Sequence, residues 1–238
     1  MRPLVLAAHG TANEAGRTVV EDCARRAGEL VGARSHVGYV DVCVPDLAEV
    51  LADLPGAVVV PLFLASGYHV RHDVPAAVER SPGTVVTPAL GASRAVVEAL
   101  SSRVRASLGS PEPVRERVDA LVLASAGSTQ ERARAEVVDV ADMLAEHEGV
   151  PVSVAYLSGP GPDRADACAG HRAAGLDRLA VATHLLAPGV FLDRARRLGA
   201  TCDVIGVGAE LGTHPAVSTL VAARYTSAPA PPTESETE

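Results

Sequence analysis

Leu4-Val5-Leu6-Ala7-Ala8-His9-Gly10-Thr11 decides how this chain is read. Five apolar residues run unbroken into a polar turn, the pattern of a short strand buried on both faces. The amphipathic stretch Glu14–Leu30 follows, so the unit is strand, turn, helix. The same phrase returns later as Leu123-Ala124-Ser125-Ala126-Gly127-Ser128. Leu64-Ala65-Ser66-Gly67 returns as Leu186-Ala187-Pro188-Gly189. Leu90-Gly91, ahead of a helix ending at Arg103, returns as Leu211-Gly212, ahead of one ending at Arg224. The chain therefore reads as two copies of one unit of roughly a hundred residues, an ordinary size for a small domain.

Working outward, strands are predicted at Leu4–Ala8, Val37–Val42, Ala57–Leu62 and Thr84–Val86, and again at Ala120–Ala124, Val152–Tyr156, Arg178–Ala182 and Asp203–Val207. Helical spacing falls between them, at Glu14–Leu30, Asp46–Leu54, Val74–Glu79 and Ser93–Arg105, then Gln130–Glu146, Arg164–Ala173, Val190–Leu198 and Pro215–Tyr225. Asp46 and Ser93 have the side chains of N-caps. Apolar strands alternating with helices specify an α/β fold of parallel sheets covered on both faces. The predicted division is a lobe over 1–108, a linker over 109–118, a second lobe over 119–226 and a disordered tail over 227–238. Gly109-Ser110-Pro111-Glu112-Pro113 has linker composition, and the tail is rich in Pro, Ser and Glu.

Composition narrows the function. The 238 residues carry 21 basic and 29 acidic side chains, a formal charge of −8, and every basic residue is arginine. An acidic chain with 3% aromatic residues is not built as a nucleic-acid binder. No apolar run approaches the roughly 18 residues of a membrane span. The opening segment does not read as a signal peptide. Cys23, Cys43, Cys168 and Cys202 are scattered with no CxxC pair, so reduced thiols in a cytoplasmic protein are expected. No GxGxxG or GxxxxGK[ST] motif is present, and neither Ser66 nor Ser125 has a GxSxG context.

The two copies differ where chemistry is expected. In open parallel sheets, ligands bind at the C-terminal strand edge. There the first copy has His9, and Tyr68-His69-Val70-Arg71-His72-Asp73 after its third strand. The second copy has Ala126, and Val190-Phe191-Leu192-Asp193. A fold shared by both copies does not require imidazoles that one of them lacks. Each histidine also has a plainer reading: His9 as a strand-end residue bonded to backbone, His69 and His72 as solvated loop residues. Imidazoles with a carboxylate and no thiolate suit Fe(II), Co(II) or Ni(II). His36, His147, His171 and His214 read as surface or packing residues, and His184 ends a second-copy strand.

The combination AAHGT (residues 7–11) with VVVPLFLASGYHVRHDVP (residues 58–75) resembles the sirohydrochlorin chelatases, class II ATP-independent enzymes of the sirohaem and cobalamin pathways. Val40–Leu47 resembles that family's strand-two exit and Pro88–Gly91 its PLG segment. The duplication matches the family's long form. The resemblance implies two similar doubly wound parallel-sheet lobes facing across a cleft. It implies His9 and His69 as catalytic and metal-binding residues; His72, where the chain departs from the family pattern, is a weaker candidate ligand read from its place in the loop. Gly10, Thr11, Phe63, Leu64, Gly67, Arg71 and Leu186 are the expected substrate-binding residues. Arg71 would pair with carboxylates of the tetrapyrrole substrate. The metal, Fe2+ or Co2+ with Ni2+ also compatible, is a substrate, and no ATP is expected. No nucleic-acid or membrane partner is expected. A single chain can supply both lobes, which favours a monomer over a dimer. Two rival readings remain open: a non-catalytic tetrapyrrole or metal carrier on the same fold, and a bilobal periplasmic-type binding protein.

Overall fold

The computed structural model of the chain describes residues 1–160 and 164–230. In the first copy, β1 (Leu4–Ala8), β2 (Ser35–Tyr39), β3 (Val58–Pro61) and β4 (Val85–Val86) form a parallel sheet in the order β2-β1-β3-β4. In the second, β5 (Ala120–Ser125), β6 (Val152–Tyr156), β7 (Leu179–His184) and β8 (Gly206–Val207) repeat it as β6-β5-β7-β8. The helices are α1 (Glu14–Val31), α2 (Leu47–Ala52), α3 (Tyr68–Arg71), α4 (Asp73–Glu79), α5 (Arg94–Ser107), α6 (Val114–Arg117), α7 (Glu131–Glu148), α8 (Arg164–Ala173), α9 (Val190–Thr201) and α10 (Pro215–Thr226).

Each residue of β1 is buried, as an unbroken apolar run requires when helices cover both faces. Val5, Ala7, Ala57 and Val59 pack with Leu47 and Leu51 of α2 and Val74 and Ala77 of α4. Successive strand residues point to opposite faces, so Leu4, Leu6, Val58 and Val60, also buried, serve the other side. Asp46 and Ser93 cap α2 and α5, accepting from Ala48 N–H and Val96 N–H. Strand β2 ends at Tyr39, earlier than predicted, because the chain turns there: Tyr39 N–H donates to Pro45 O at 2.9 Å. Val40–Val42 therefore begins a loop instead of finishing a strand.

From β1 the chain moves outward to β2, then returns across β1 to β3. With right-handed crossovers this places α1 on one face and α2 and α4 on the other. The reversal lies between β1 and β3, where open sheets of this kind form their crevice.

The predicted halves need correction. By contact, one unit is Met1–Leu90 with residues 218–230, and the other is Gly91–Val217. Helix α5 follows β4 in sequence but belongs to the second unit, where a Cβ on Gly206 would lie 2.7 Å from Ser107 Oγ. Helix α10 returns to the first unit, where Tyr225 Oη donates to Arg2 O at 2.7 Å. A repeat shows which segments are alike, not which sheet each helix covers. Residues 109–118 are not a free linker either, because Val114 and Val118 are buried. From residue 231 the predicted tail lies outside the described residues. Among the described residues no helix is long and apolar enough to cross a membrane.

The cysteines are also corrected. Cys168 of α8 and Cys202, the C-cap of α9, form a disulfide across Cα atoms 6.1 Å apart. Two helices packed side by side bring the pair together, which sequence spacing could not reveal. Cys23 is buried, and burial pushes its thiol up to about 12. Denatured but unreduced protein should therefore take up two alkylating groups by mass, and native protein one, at Cys43. Closing a loop over a sequence separation of 34 should stabilise the fold by about 3–4 kcal/mol. Cys168→Ser should remove that amount in urea unfolding.

Candidate functional site

Three neighbouring strands end at one edge of the first sheet, and each delivers a polar side chain. His9 follows β1, Asp41 lies just past β2, and His69 sits on α3, reached from β3. One ligand atom from each lies within 4.8 Å of the other two. The two imidazoles meet edge to face with ring centroids 4.5 Å apart. Two imidazoles and one carboxylate form a ligand set for borderline and hard divalent ions, with coordination positions left open.

Gly10 makes the convergence fit. Its φ is 96°, and a Cβ there would stand 2.1 Å from Asp41 O. Asp41 N–H donates to His9 O at 3.1 Å, so the loops after β1 and β2 are clamped together. Any larger residue at position 10 would push the Asp41 loop away. Asp41 was not among the predicted site residues, although its signal was available as the first polar residue beyond β2, at the same sheet edge as His9.

His69 is oriented from behind. Its Nδ1 lies 2.6 Å from Asp73 Oδ2, one helical turn ahead. A carboxylate acceptor makes Nδ1 the protonated nitrogen and leaves the Nε2 lone pair for an ion. Phe63 lies nearly parallel to the His69 ring at 6.5 Å and also packs against the core, which restricts the ring further.

The remaining predicted residues divide. His72 does not join the group. Its backbone (φ −125°, ψ −60°) breaks the helix between α3 and α4, and its ring packs against that of Tyr68, tilted by 31° with centroids 4.5 Å apart. Leu64 is buried, so its side chain serves the core instead of lining an open site. Thr11 Oγ1 accepts from Asn13 N–H at 3.1 Å and Thr11 O from Arg17 at 3.1 Å, which stabilises the turn into α1. Gly67 is the N-cap of α3, and Arg71 is exposed on that helix. Leu186 belongs to the second unit and is half-buried.

The second unit has the same scaffold without the ligands. Gly127 has a φ of 95°, and a Cβ there would lie 2.0 Å from Ser158 O, reproducing Gly10 and Asp41. Strand register then equates His9 with Ala126 and Asp41 with Ser158, and the loop alignment equates His69 with Phe191. His184 takes the place of Leu62, by the pairing of β5 with β7. It is 2% exposed, with Ser125 Oγ 3.3 Å from its Nδ1. Burial pulls its pKa down to about 4, so it is a neutral core residue.

Comparison with known proteins agrees with this architecture. The CbiX family model matches residues 3–107 and 120–228. The structure titled SirB from Bacillus subtilis with Fe3+ is 18% identical, with a TM-score of 0.76 over 94% of each chain. The sirohydrochlorin chelatase SirB from Bacillus subtilis subspecies spizizenii in complex with cobalt is 18% identical, with a TM-score of 0.72 over 95% of this chain and 94% of that one. CbiX, titled the terminal enzyme for biosynthesis of siroheme in denitrifying bacteria, is 19% identical, with a TM-score of 0.72 over 94% and 98%. No curated protein matches the chain in sequence.

Two measurements test the geometry. Asp73→Ala should weaken Co2+ binding about 10- to 100-fold, read from visible absorbance, while Asp73→Asn, whose amide oxygen still accepts the Nδ1 proton, should lose less. The second concerns His184. Its folded pKa of about 4 lies below the unfolded value near 6.5, so the unfolded chain is protonated first as the pH drops. Its stabilising contribution is complete above about pH 6.5 and is lost as pH falls to about 4, a change on the order of 3 kcal/mol. His171 and His214, also lowered by burial, act in the same direction. His184→Leu, copying Leu62, should flatten the fall in urea stability between pH 7 and 4.

Proposed function

Because the chain belongs to the CbiX family, we propose that it is a sirohydrochlorin chelatase. It inserts Fe2+ or Co2+ into the polycarboxylated tetrapyrrole without ATP. The observation that carries this reading is the meeting of His9, Asp41 and His69 at the C-terminal edge of the first sheet. The SirB structures titled with Fe3+ and with cobalt support metal as the cargo of this fold.

Insertion exchanges two pyrrole N–H protons for one divalent ion. Asp41 and Nε2 of His69 receive the ion from water. His9, exposed at the strand edge, completes the ligand set and, once the ion leaves it, accepts one pyrrole proton, while the second passes to water. Only one of the three ligands carries charge, and open positions remain for water and then for pyrrole nitrogens. The ion is therefore held without being trapped, unlike one in a closed four-ligand site. Arg71, exposed beside the cluster in sequence, pairs with a substrate carboxylate.

One chain carries both copies of the unit, which supports a monomer over a dimer. The tetrapyrrole is its small-molecule partner, and the cytoplasm is its compartment. The Cys168–Cys202 bond is unusual for a reducing compartment, so a thiol count on freshly lysed cells tests that assignment.

His9→Ala and His69→Ala should each lower the initial rate of insertion, followed by absorbance with sirohydrochlorin and Co2+, by about 100-fold or more. Their melting temperatures should stay near that of the parent, because His9 is exposed and His69 only half-buried. Full activity in the double variant would overturn the proposal. A parent protein that binds substrate without accelerating insertion would point instead to a carrier.

A further inference from the structure

The loop that carries Asp41 holds a residue that its own conformation disfavours. Val42 has a φ of 69°, in the left-handed region where a β-branched side chain is a genuine outlier. Two hydrogen bonds accepted by Asp41, one by its side chain and one by its carbonyl, hold this conformation. Asp41 Oδ1 accepts from Val42 N–H at 2.7 Å, and Asp41 O accepts from Cys43 N–H at 2.8 Å. Both bonds use only main-chain donors at positions 42 and 43, so neither needs a valine. Glycine or asparagine would make them at lower cost. The valine side chain does not repay the strain by packing, since Val42 is 56% exposed. Val44, two residues on, is 79% exposed. On the other side of the cluster Tyr68, which precedes His69, is 55% exposed. Val42 and Tyr68 are thus exposed next in sequence to Asp41 and His69, two of the three converging residues, with Val44 two residues further along the Asp41 loop.

We propose that Val42, Val44 and Tyr68 form the surface on which one face of the tetrapyrrole ring rests while the ion passes from Asp41 and His69. This rests on the chelatase reading and extends it from the ion to the ring. The ring is flat and apolar on its faces, with carboxylates at its rim. A metal poised for insertion lies between its ligands and the pyrrole nitrogens, so the ring's face must cover the cluster and whatever flanks it. Apolar side chains at those flanking positions lose their water only when the ring arrives, and burial then favours binding. A strained valine whose side chain is unpacked in the free protein is thereby explained by the bound state.

Val42→Gly tests the idea because it separates stability from recognition. Glycine suits the backbone at position 42, so the melting temperature should be unchanged or raised. The affinity for metal-free sirohydrochlorin, read from its absorbance and fluorescence, should fall about tenfold, with KM rising by a similar factor and kcat little altered. Co2+ affinity should stay within about twofold, since Asp41 keeps its main-chain partners. Val42→Asn, which also tolerates this conformation but is polar, should lose ring affinity equally. Unchanged ring affinity in both variants would overturn the proposal. So would a matching loss of Co2+ affinity, which would mean that the loop only positions Asp41. A parent protein that binds no sirohydrochlorin would sink the chelatase reading itself, and this proposal with it.

Discussion

Parallel strands that lie side by side must end at the same edge of their sheet, and the candidate site depends on that constraint. Neighbouring strands are about 4.8 Å apart, so residues just past the ends of β2, β1 and β3 can meet without any long excursion of the chain. Strand β1 is central to this because it pairs with both of the others, Ala8 opposite Tyr39 on one side and Ala7 opposite Pro61 on the other. The loop after β1 is tight, and the turn at Gly10 presses it against the Asp41 loop. Only the third ligand needs a longer path, and α3 supplies it by starting a new helix where the segment after β3 reaches the edge. Asp73 then sets the imidazole's orientation. The cluster is a consequence of strand adjacency, refined by one glycine and one carboxylate.

The second unit works as a control built into the same chain. It keeps the left-handed glycine and the close approach to the neighbouring loop. It also keeps the arginine that binds the turn carbonyl: Arg17 to Thr11 O in the first unit, Arg134 to Ser128 O in the second. These features belong to the scaffold. It lacks counterparts of His9, Asp41 and His69, the three side chains that converge in the first unit. The same comparison explains His184, an imidazole at a strand end that could be mistaken for a ligand. Its counterpart is the buried Leu62, so the position faces the core in both units.

Much of the architecture was legible because burial on both faces leaves an unmistakable pattern. Strands β1 and β6, and the starts of β5, α1, α8, α9 and α10, fall where the sequence places them. His9 and His69 were legible for a different reason, since the repeat showed that the fold could do without them. Asp41 was not, because its role comes from lateral pairing of β1 with β2, which no local pattern records. The exchange of α5 and α10 between the units and the Cys168–Cys202 bond were hidden in the same way. Each depends on which surfaces meet, and two copies of similar sequence cannot say which helix covers which sheet. The end of β2 was misjudged because Val40-Asp41-Val42 looks like strand in isolation; the turn that brings Pro45 back to Tyr39 is what stops it.

The composition of the cluster bears on what it can do. A cysteine sulfur would bind Fe2+ or Co2+ more tightly than imidazole or carboxylate, and one is close at hand: Cys43 Sγ would lie 3.1 Å from a Cβ on Gly10. Yet the group of converging ligands contains His9, Asp41 and His69 and not Cys43. A site that must release its metal to another ligand gains nothing from a bond that holds the ion back. The partial exposure of all three ligands fits the same requirement, because the ion arrives from water on one side and leaves towards a ring on the other. Weak, incomplete and open coordination would be a defect in a structural metal site. Here it is the condition that lets the pyrrole nitrogens compete, with their higher denticity drawing the ion across once the protons have gone.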